Sequence, residues 1–119
     1  MTVLIQNPGD SIFVIYDLKR KGYCLWMKDK KNYILAFTSG EKAERYNYTV
    51  LRNSPGVIRE IKKNQSKEFT RRLVSAGVEW MLLDFPPEND WEFFGDDIPL
   101  EKKRDYAIVH LKGLVTKWA

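Results

Sequence analysis

One stretch decides the fold class, because its hydrophobic period changes in the middle: Tyr33-Ile-Leu-Ala-Phe-Thr-Ser-Gly-Glu-Lys-Ala-Glu-Arg-Tyr-Asn-Tyr48. Tyr33–Phe37 is a short apolar run of the kind that forms a buried strand. Thr38 or Ser39 then offers a hydroxyl oxygen that can accept a hydrogen bond from an unpaired N–H of a new helix. Glu41 in the first turn interacts favourably with the helix dipole. We therefore predict a strand, a corner and a short helix ending near Tyr48.

Two further strands are predicted before this stretch. Ser11–Tyr16 is rich in β-branched and aromatic residues, and the polar turn Lys19–Gly22 follows it. Tyr23–Met27 is the predicted partner strand, and Asp29–Asn32 supplies a second turn. Three strands at this spacing, joined by short turns, predict an antiparallel meander.

A second helix is predicted in the middle of the chain. Val57–Ile61 is a short apolar piece that fits either a strand or the lead-in to a helix. Ser66 is the predicted cap of a helix over Lys67–Ala76, whose apolar residues recur at helical spacing on one face. Gly77 is the expected stop.

The last part of the chain adds a strand and a third helix. The apolar run Val78–Leu83 predicts a fairly buried strand. Helical spacing returns from Leu100 or Arg104 to Lys117, and a strand over Tyr106–Leu111 is the competing interpretation. The predicted fold is therefore α+β, with a small, mainly antiparallel sheet packed by two or three helices.

Residue counts limit the chemistry that the chain can perform. Its 119 residues fit a single domain, 1–119. The lone cysteine, Cys24, excludes an internal disulfide, and with one histidine, His110, zinc sites built from Cys and His are excluded. No glycine-rich phosphate loop is present. We expect a non-enzymatic protein with no cofactor and no metal.

The N-terminal sequence lacks the features of a secretory signal. Met1–Pro8 has no positively charged region, and its apolar run is three residues long. No stretch approaches the roughly 20 apolar residues of a membrane span. The expected location is the cytoplasm, with no membrane partner.

Acidic and aromatic residues are concentrated in one segment, Asp84–Glu101, here called the acidic–aromatic segment. It holds seven acidic residues and no lysine or arginine, so the remaining 20 basic and 9 acidic residues give the rest of the chain a net charge of +11. Aromatic anchors surrounded by charges are typical of protein-binding surfaces. The simpler interpretation is that the aromatics pack onto the sheet. The predicted protein-binding residues are Trp91, Phe93, Phe94, Asp90, Asp96 and Asp97.

Basic residues form separate groups that suggest an alternative, nucleic-acid binding. That function needs the groups to share one face. Two of these groups, Lys19–Lys21 and Lys28 with Lys30 and Lys31, flank successive turns of the meander. This predicts that the two groups lie at opposite ends of the hairpin. Tyr23 or Trp26 would stack on bases if either faces outward. The candidate nucleic-acid-binding residues are Lys19, Arg20, Lys21, Lys28, Lys30, Lys31, Arg71 and Arg72.

Two short motifs are similar to the SseB-like family, small bacterial domains named for enhanced serine sensitivity. The first is Leu35–Ala43, with Phe-Thr-Ser before a helix containing Glu and Ala; the second is Ala76-Gly77-Val78 leading into Leu82-Leu83. The family's strand ends in Asn-Pro, whereas this one ends in Asp84-Phe85-Pro86. The resemblance implies an α+β fold and a binding role, and it implies no catalytic residue.

These observations predict a protein-binding module of bacterial or phage origin, such as an immunity, anti-defence or regulatory protein, whose partner is another protein. Nucleic-acid binding through the basic groups is the first alternative. A small-ligand or hydrolytic function, in a pocket near His110 between the sheet and the C-terminal helix, is the second.

Overall fold

The computed structural model describes residues 11–85, 87 and 107–111. The predicted α+β class is confirmed: seven strands form one mixed, mostly antiparallel sheet that two helices pack against. In chain order the elements are β1 (Ser11–Asp17), β2 (Gly22–Tyr23), β3 (Leu25–Lys28), β4 (Lys31–Phe37), α1 (Gly40–Thr49), β5 (Val57–Lys62), a 3-10 turn (Lys63–Gln65), α2 (Ser66–Ser75), β6 (Trp80–Leu83) and β7 (Ala107–His110).

The sheet is built around the neighbouring strands β1 and β4. β5 pairs with one side of β1, and β6 and then β7 extend the sheet beyond β4. All pairings are antiparallel except that of β4 with β6, which is parallel, with Tyr33 opposite Trp80. The connection between those two strands contains both helices and β5.

The predicted meander contains one more strand than expected. Residues 22–28 form two strands, because β2 pairs with β1 whereas β3 pairs with β4. β1 and β4 also pair directly with each other, at Phe13 with Phe37 and at Val14 with Ala36. The continuous apolar run hides this division, since nothing in its composition marks the residue where the partner strand changes.

Alternating side chains give the sheet a core on each face. Ile12, Val14 and Ile34 belong to the cluster that α2 covers with Phe69 and Leu73. Residues of opposite parity, including Ile15, Leu35 and Phe37, belong to the cluster that α1 covers with Ala43 and Tyr46. The period-2 alternation of a strand therefore feeds both cores at once.

The corner between β4 and α1 is fixed by two side chains. Ser39 is the helix cap, and its hydroxyl accepts a hydrogen bond from the Lys42 N–H (3.3 Å). Thr38, the other predicted cap, binds Asp84 instead, donating its N–H to Oδ1 (2.7 Å) and its hydroxyl to Oδ2 (2.9 Å). Asp84 directly follows β6 with a φ of 61°, so it ties the ends of two parallel strands together.

The second helix begins one residue earlier than predicted. Ser66 was expected to cap it but lies within the helix and is buried, and Gln65 precedes it at the cap position. The Gln65 side chain instead accepts a hydrogen bond from the Lys62 N–H (3.0 Å), which joins the 3-10 turn to β5. Gly77, with a φ of 89°, confirms the predicted stop.

Two ambiguous segments are both strands. Val57–Lys62 pairs along its whole length with β1, so the strand interpretation of this piece is correct. The C-terminal helix prediction is wrong over Ala107–His110, which pairs with β6. The apolar spacing there resembled a helix, but pairing with β6 determines the structure. The remaining residues of that predicted helix lie outside the described part of the chain.

No helix in the described ranges is long and apolar enough to cross a membrane.

A buried amide holds the loop between α1 and β5. Asn47 is almost fully buried, its Nδ2 donates to the Gly56 carbonyl (2.9 Å), and its Oδ1 accepts from the Gly56 N–H (2.8 Å). Gly56 lies so close to β1 that an added Cβ would be 2.6 Å from Ile15 Cγ2 and 2.7 Å from the Tyr16 carbonyl oxygen.

We expect Gly56→Ala to lower the free energy of unfolding by about 1–3 kcal/mol, because the loop must move to relieve the overlap. Urea denaturation followed by circular dichroism measures the change. Gly22→Ala is the matched control, since its nearest neighbouring atom would be 4.0 Å away. Equal stability of the two variants would contradict the packing described for Gly56.

Candidate functional site

A fork in the sheet forms the centre of the candidate site. β1 and β4 pair directly at Phe13 with Phe37 and at Val14 with Ala36, and beyond these residues the two strands separate. In the opening, β2 lies along β1 and β3 lies along β4. We call the space between β2 and β3 the fork. Cys24 lies at its base. Its N–H donates to the Ile15 carbonyl on β1 (2.8 Å), and its carbonyl accepts from the Leu35 N–H on β4 (3.5 Å).

The two groups of basic residues that flank the turns after β1 and β3 lie at the same end of the sheet. β1 and β3 are both antiparallel to β4, so they run in the same direction, and the chain reverses at Cys24. The turns that follow β1 and β3, residues 18–21 and 29–30, therefore lie at one end, and we call them the fork tips. The prediction of opposite ends is wrong, because it assumed a single strand between the two turns.

Local backbone geometry holds each fork tip in shape. Asp17 Oδ1 accepts hydrogen bonds from the N–H groups of Lys19 (2.9 Å) and Arg20 (3.2 Å). Asp29 and Lys30 have φ values of 53° and 64°, as a type I′ two-residue hairpin turn requires. The basic side chains are thus displayed on two ordered turns.

Strand β3 exposes apolar side chains beside the fork. Leu25 and Met27 are 40% and 67% exposed and lie on the sheet face that carries α2, because Leu25 is opposite Ile34. Trp26 points to the other face, where its Nε1 donates to the hydroxyl of Tyr46 (2.8 Å). The sequence predicts a strand over these residues, but it does not indicate that the strand exposes two apolar side chains.

A groove runs between α2 and the strands of the fork. It has a volume of about 700 Å³, and its apolar lining includes Tyr23, Leu25, Phe69 and Leu73, with Arg72 at the rim. Tyr23 packs edge-on against Phe69, with ring centroids 5.4 Å apart. We call this cavity the α2 groove; its shape and lining suit apolar side chains.

A second cavity opens on the opposite face of the fork. Its volume is about 520 Å³, and Lys19, Arg20 and Trp26 are among its lining residues. The two cavities share Gly22, Tyr23 and Leu25. The fork is consequently accessible from both faces of the sheet.

Two arginines and one glutamate lie on α2 at or beside the groove. Arg71 and Arg72 both bind the carboxylate of Glu68, Arg72 through Nε at 2.9 Å. Hydrogen bonds from Arg71 and then Arg72 hold the pKa of Glu68 below its usual value. One carboxylate is thus shared by two cations. A third cation, Arg59 on β5, lies with its guanidinium carbon 3.6 Å from the ring centroid of Tyr16.

The structure brings together much of the predicted basic set. Lys19, Arg20 and Arg72 line cavities that meet at the fork, and Lys21 and Lys30 lie on its tips. Lys28 and Lys31 flank the second tip, and Arg71 lies beyond the groove on α2. The predicted protein-binding residues, Trp91, Phe93, Phe94, Asp90, Asp96 and Asp97, lie outside the described residues, so their role stays a prediction.

His110 lies on β7 and packs edge-on against Trp80, with ring centroids 4.7 Å apart. The α2 groove and the second cavity do not include His110 among their lining residues. Within that part of the chain, no group of three or more His, Cys, Asp or Glu residues could hold a metal ion.

No protein-family model matches the chain, and no curated protein is significantly similar to it. The resemblance to the SseB-like family therefore stays a prediction.

We expect the pKa of Glu68, followed by carboxyl NMR, to lie below its value in an unfolded peptide. Arg71→Gln should raise it, whereas Lys67→Gln, which removes a neighbouring cation that does not bind Glu68, should change it little. Because the folded-state pKa is depressed, the stability that these pairs contribute is present above the unfolded pKa and is lost as the pH falls through the folded pKa. An ordinary pKa for Glu68 would show that the rim charges are unpaired in solution.

Proposed function

We propose that this protein is a non-enzymatic protein-binding domain that holds a segment of its partner at the fork. The observation that supports this most directly is the exposure of Leu25 and Met27 beside the α2 groove. Exposed apolar side chains next to an apolar cavity, with charges at the rim, are typical of protein interaction sites.

The surroundings of these two side chains favour a macromolecular partner over a small molecule. The α2 groove and the second cavity lie on opposite faces of the sheet and share lining residues, so an elongated ligand can contact both. Tyr23 and Phe69 supply aromatic surface in the groove, and aromatic residues are enriched at the centres of protein interfaces.

The biological class of this protein is proposed from the sequence alone. The SseB-like resemblance and the uneven charge distribution support an immunity, anti-defence or regulatory protein of bacterial or phage origin, acting in the cytoplasm. Within the acidic–aromatic segment, the residues predicted from its composition, positions 90–97, are a proposed further contact surface.

To test the main proposal, a random peptide library displayed on phage is selected against the folded domain. We expect the selected peptides to perturb the amide NMR signals of residues 22–28 and of α2. The double substitution Leu25→Ser/Met27→Ser should weaken their binding at least about tenfold, since it removes apolar contact area worth more than about 1.4 kcal/mol.

Tyr48→Ser is the control of matched exposure, because Tyr48 is 66% exposed on α1 and lines neither the α2 groove nor the second cavity. It should leave peptide affinity within about twofold, as removal of an exposed side chain outside an interface costs little. Circular dichroism confirms that both variants are folded. Selection of no peptide, or of peptides that perturb only other surfaces, would refute the proposal.

Nucleic-acid binding is a second candidate, and the position of the fork tips favours it. Lys19–Lys21 and Lys30 lie at one end of the sheet, where phosphates could contact both turns. Tyr16 and Tyr23 are half-buried and stack edge-on beside them, with centroids 5.3 Å apart.

This second candidate predicts binding of a fluorescent single-stranded DNA 12-mer that weakens steeply as salt is added. Lys19→Glu/Lys30→Glu should abolish it. Lys63→Glu should have a smaller effect, since Lys63 follows β5 at the opposite end of the sheet. The absence of DNA or RNA binding at low salt would remove this function.

A further inference from the structure

We infer that the fork receives an extended, acidic segment of the partner protein, which adds to the sheet as a strand along β3. This inference rests on the proposed protein-binding function. It specifies the conformation and the charge of the bound segment.

Backbone groups of β3 point into the fork. In an antiparallel pair, residues bond alternately to the partner strand and away from it. The bond from the Leu35 N–H to the Cys24 carbonyl shows that Cys24 bonds towards β4, as do Trp26 and Lys28, which are two and four residues further along the strand. The N–H and C=O groups of Leu25 and Met27 therefore face the fork, and no strand among the described residues pairs with them.

The edges of β5 and β3, which each pair with a single described strand, differ in chemistry. On β5 the charged residues Arg59, Glu60 and Lys62 protect the edge, as in many natural sheets. The edge of β3 carries the apolar sequence Leu25-Trp26-Met27 and has no such protection over those residues. An apolar edge with unpaired backbone groups is a template for strand addition.

Side chains of an added strand would alternate between two different environments. On one face they would lie beside Leu25 and the α2 groove, which accepts apolar groups. On the other face they would meet the cavity lined by Lys19 and Arg20, where carboxylates fit. Asp17, which also lines that cavity, already accepts the backbone N–H groups of its turn. The expected segment therefore alternates apolar and acidic residues.

Charge around the fork favours an acidic partner over a second copy of the chain. Residues 17–31 contain six basic and two acidic residues, a net charge of +4. Two copies paired through β3 would bring these like charges together, which is unfavourable. A segment rich in carboxylates has the opposite effect and is also attracted at long range.

The test uses the tightest-binding peptide from the phage selection, made with a single N-methyl group at each backbone position in turn. Strand addition predicts that N-methylation weakens binding about tenfold or more at every second residue and has little effect at the residues between. An analogue with lysine in place of each acidic residue should not bind.

Hydrogen exchange gives a second measurement on the protein itself. The Leu25 and Met27 amides should exchange at least about tenfold more slowly when the peptide is bound, while the Trp26 amide, already bonded to β4, should change little. Both measurements use the unaltered chain, so they do not depend on a β3 variant that folds.

The failure of this inference is distinguishable from failure of the proposed function. If peptides bind at the fork but N-methylation has no alternating effect, or the bound peptide is helical, strand addition is wrong and protein binding stands. If no peptide binds at the fork, both are wrong. Strand addition by a partner is also overturned if the protein alone forms dimers that protect Leu25 and Met27, or if DNA displaces every selected peptide.

Discussion

The backbone of Cys24 is the point on which the arrangement of the site depends. Its N–H bonds to β1 and its carbonyl to β4, so two neighbouring strands share one residue at the place where they separate. On the side of Cys24 that holds Phe13 and Phe37, β1 and β4 pair directly. On the other side, the hairpin of β1 with β2 diverges from the hairpin of β3 with β4. The common end of the basic turns, the two cavities and the fork-facing edge of β3 all follow from this reversal. Side-chain chemistry at Cys24 is secondary to the position of its peptide groups.

Much of the fold follows from local sequence. Ser39 caps a helix and Gly77 stops another, and both do so through local backbone geometry and near neighbours. Predictions failed where a distant partner determines the structure. Residues 107–110 carry apolar residues at a spacing that also fits a helix, and their pairing with β6 makes them a strand.

The candidate site was harder to predict for the same reason. Leu25 and Met27 resemble core residues of a strand, and their exposure arises because α2 covers only part of its sheet face. The basic residues at the fork tips were identified from composition, but their common location depends on strand direction, which the sequence of residues 22–28 does not reveal. Charge was therefore predictable, whereas its arrangement required the sheet topology.

The parallel pairing of β4 with β6 has a consequence for the order of folding. It joins Tyr33 to Trp80, 47 positions apart, and β7 can attach only after β6 is in place. The two hairpins of the fork, by contrast, connect residues close in sequence and close small loops. Contacts of long sequence separation carry a larger loop-closure entropy cost and slow folding. We therefore expect the fork to form early during synthesis, on a half-sheet whose β4 edge stays open until β6 has left the ribosome.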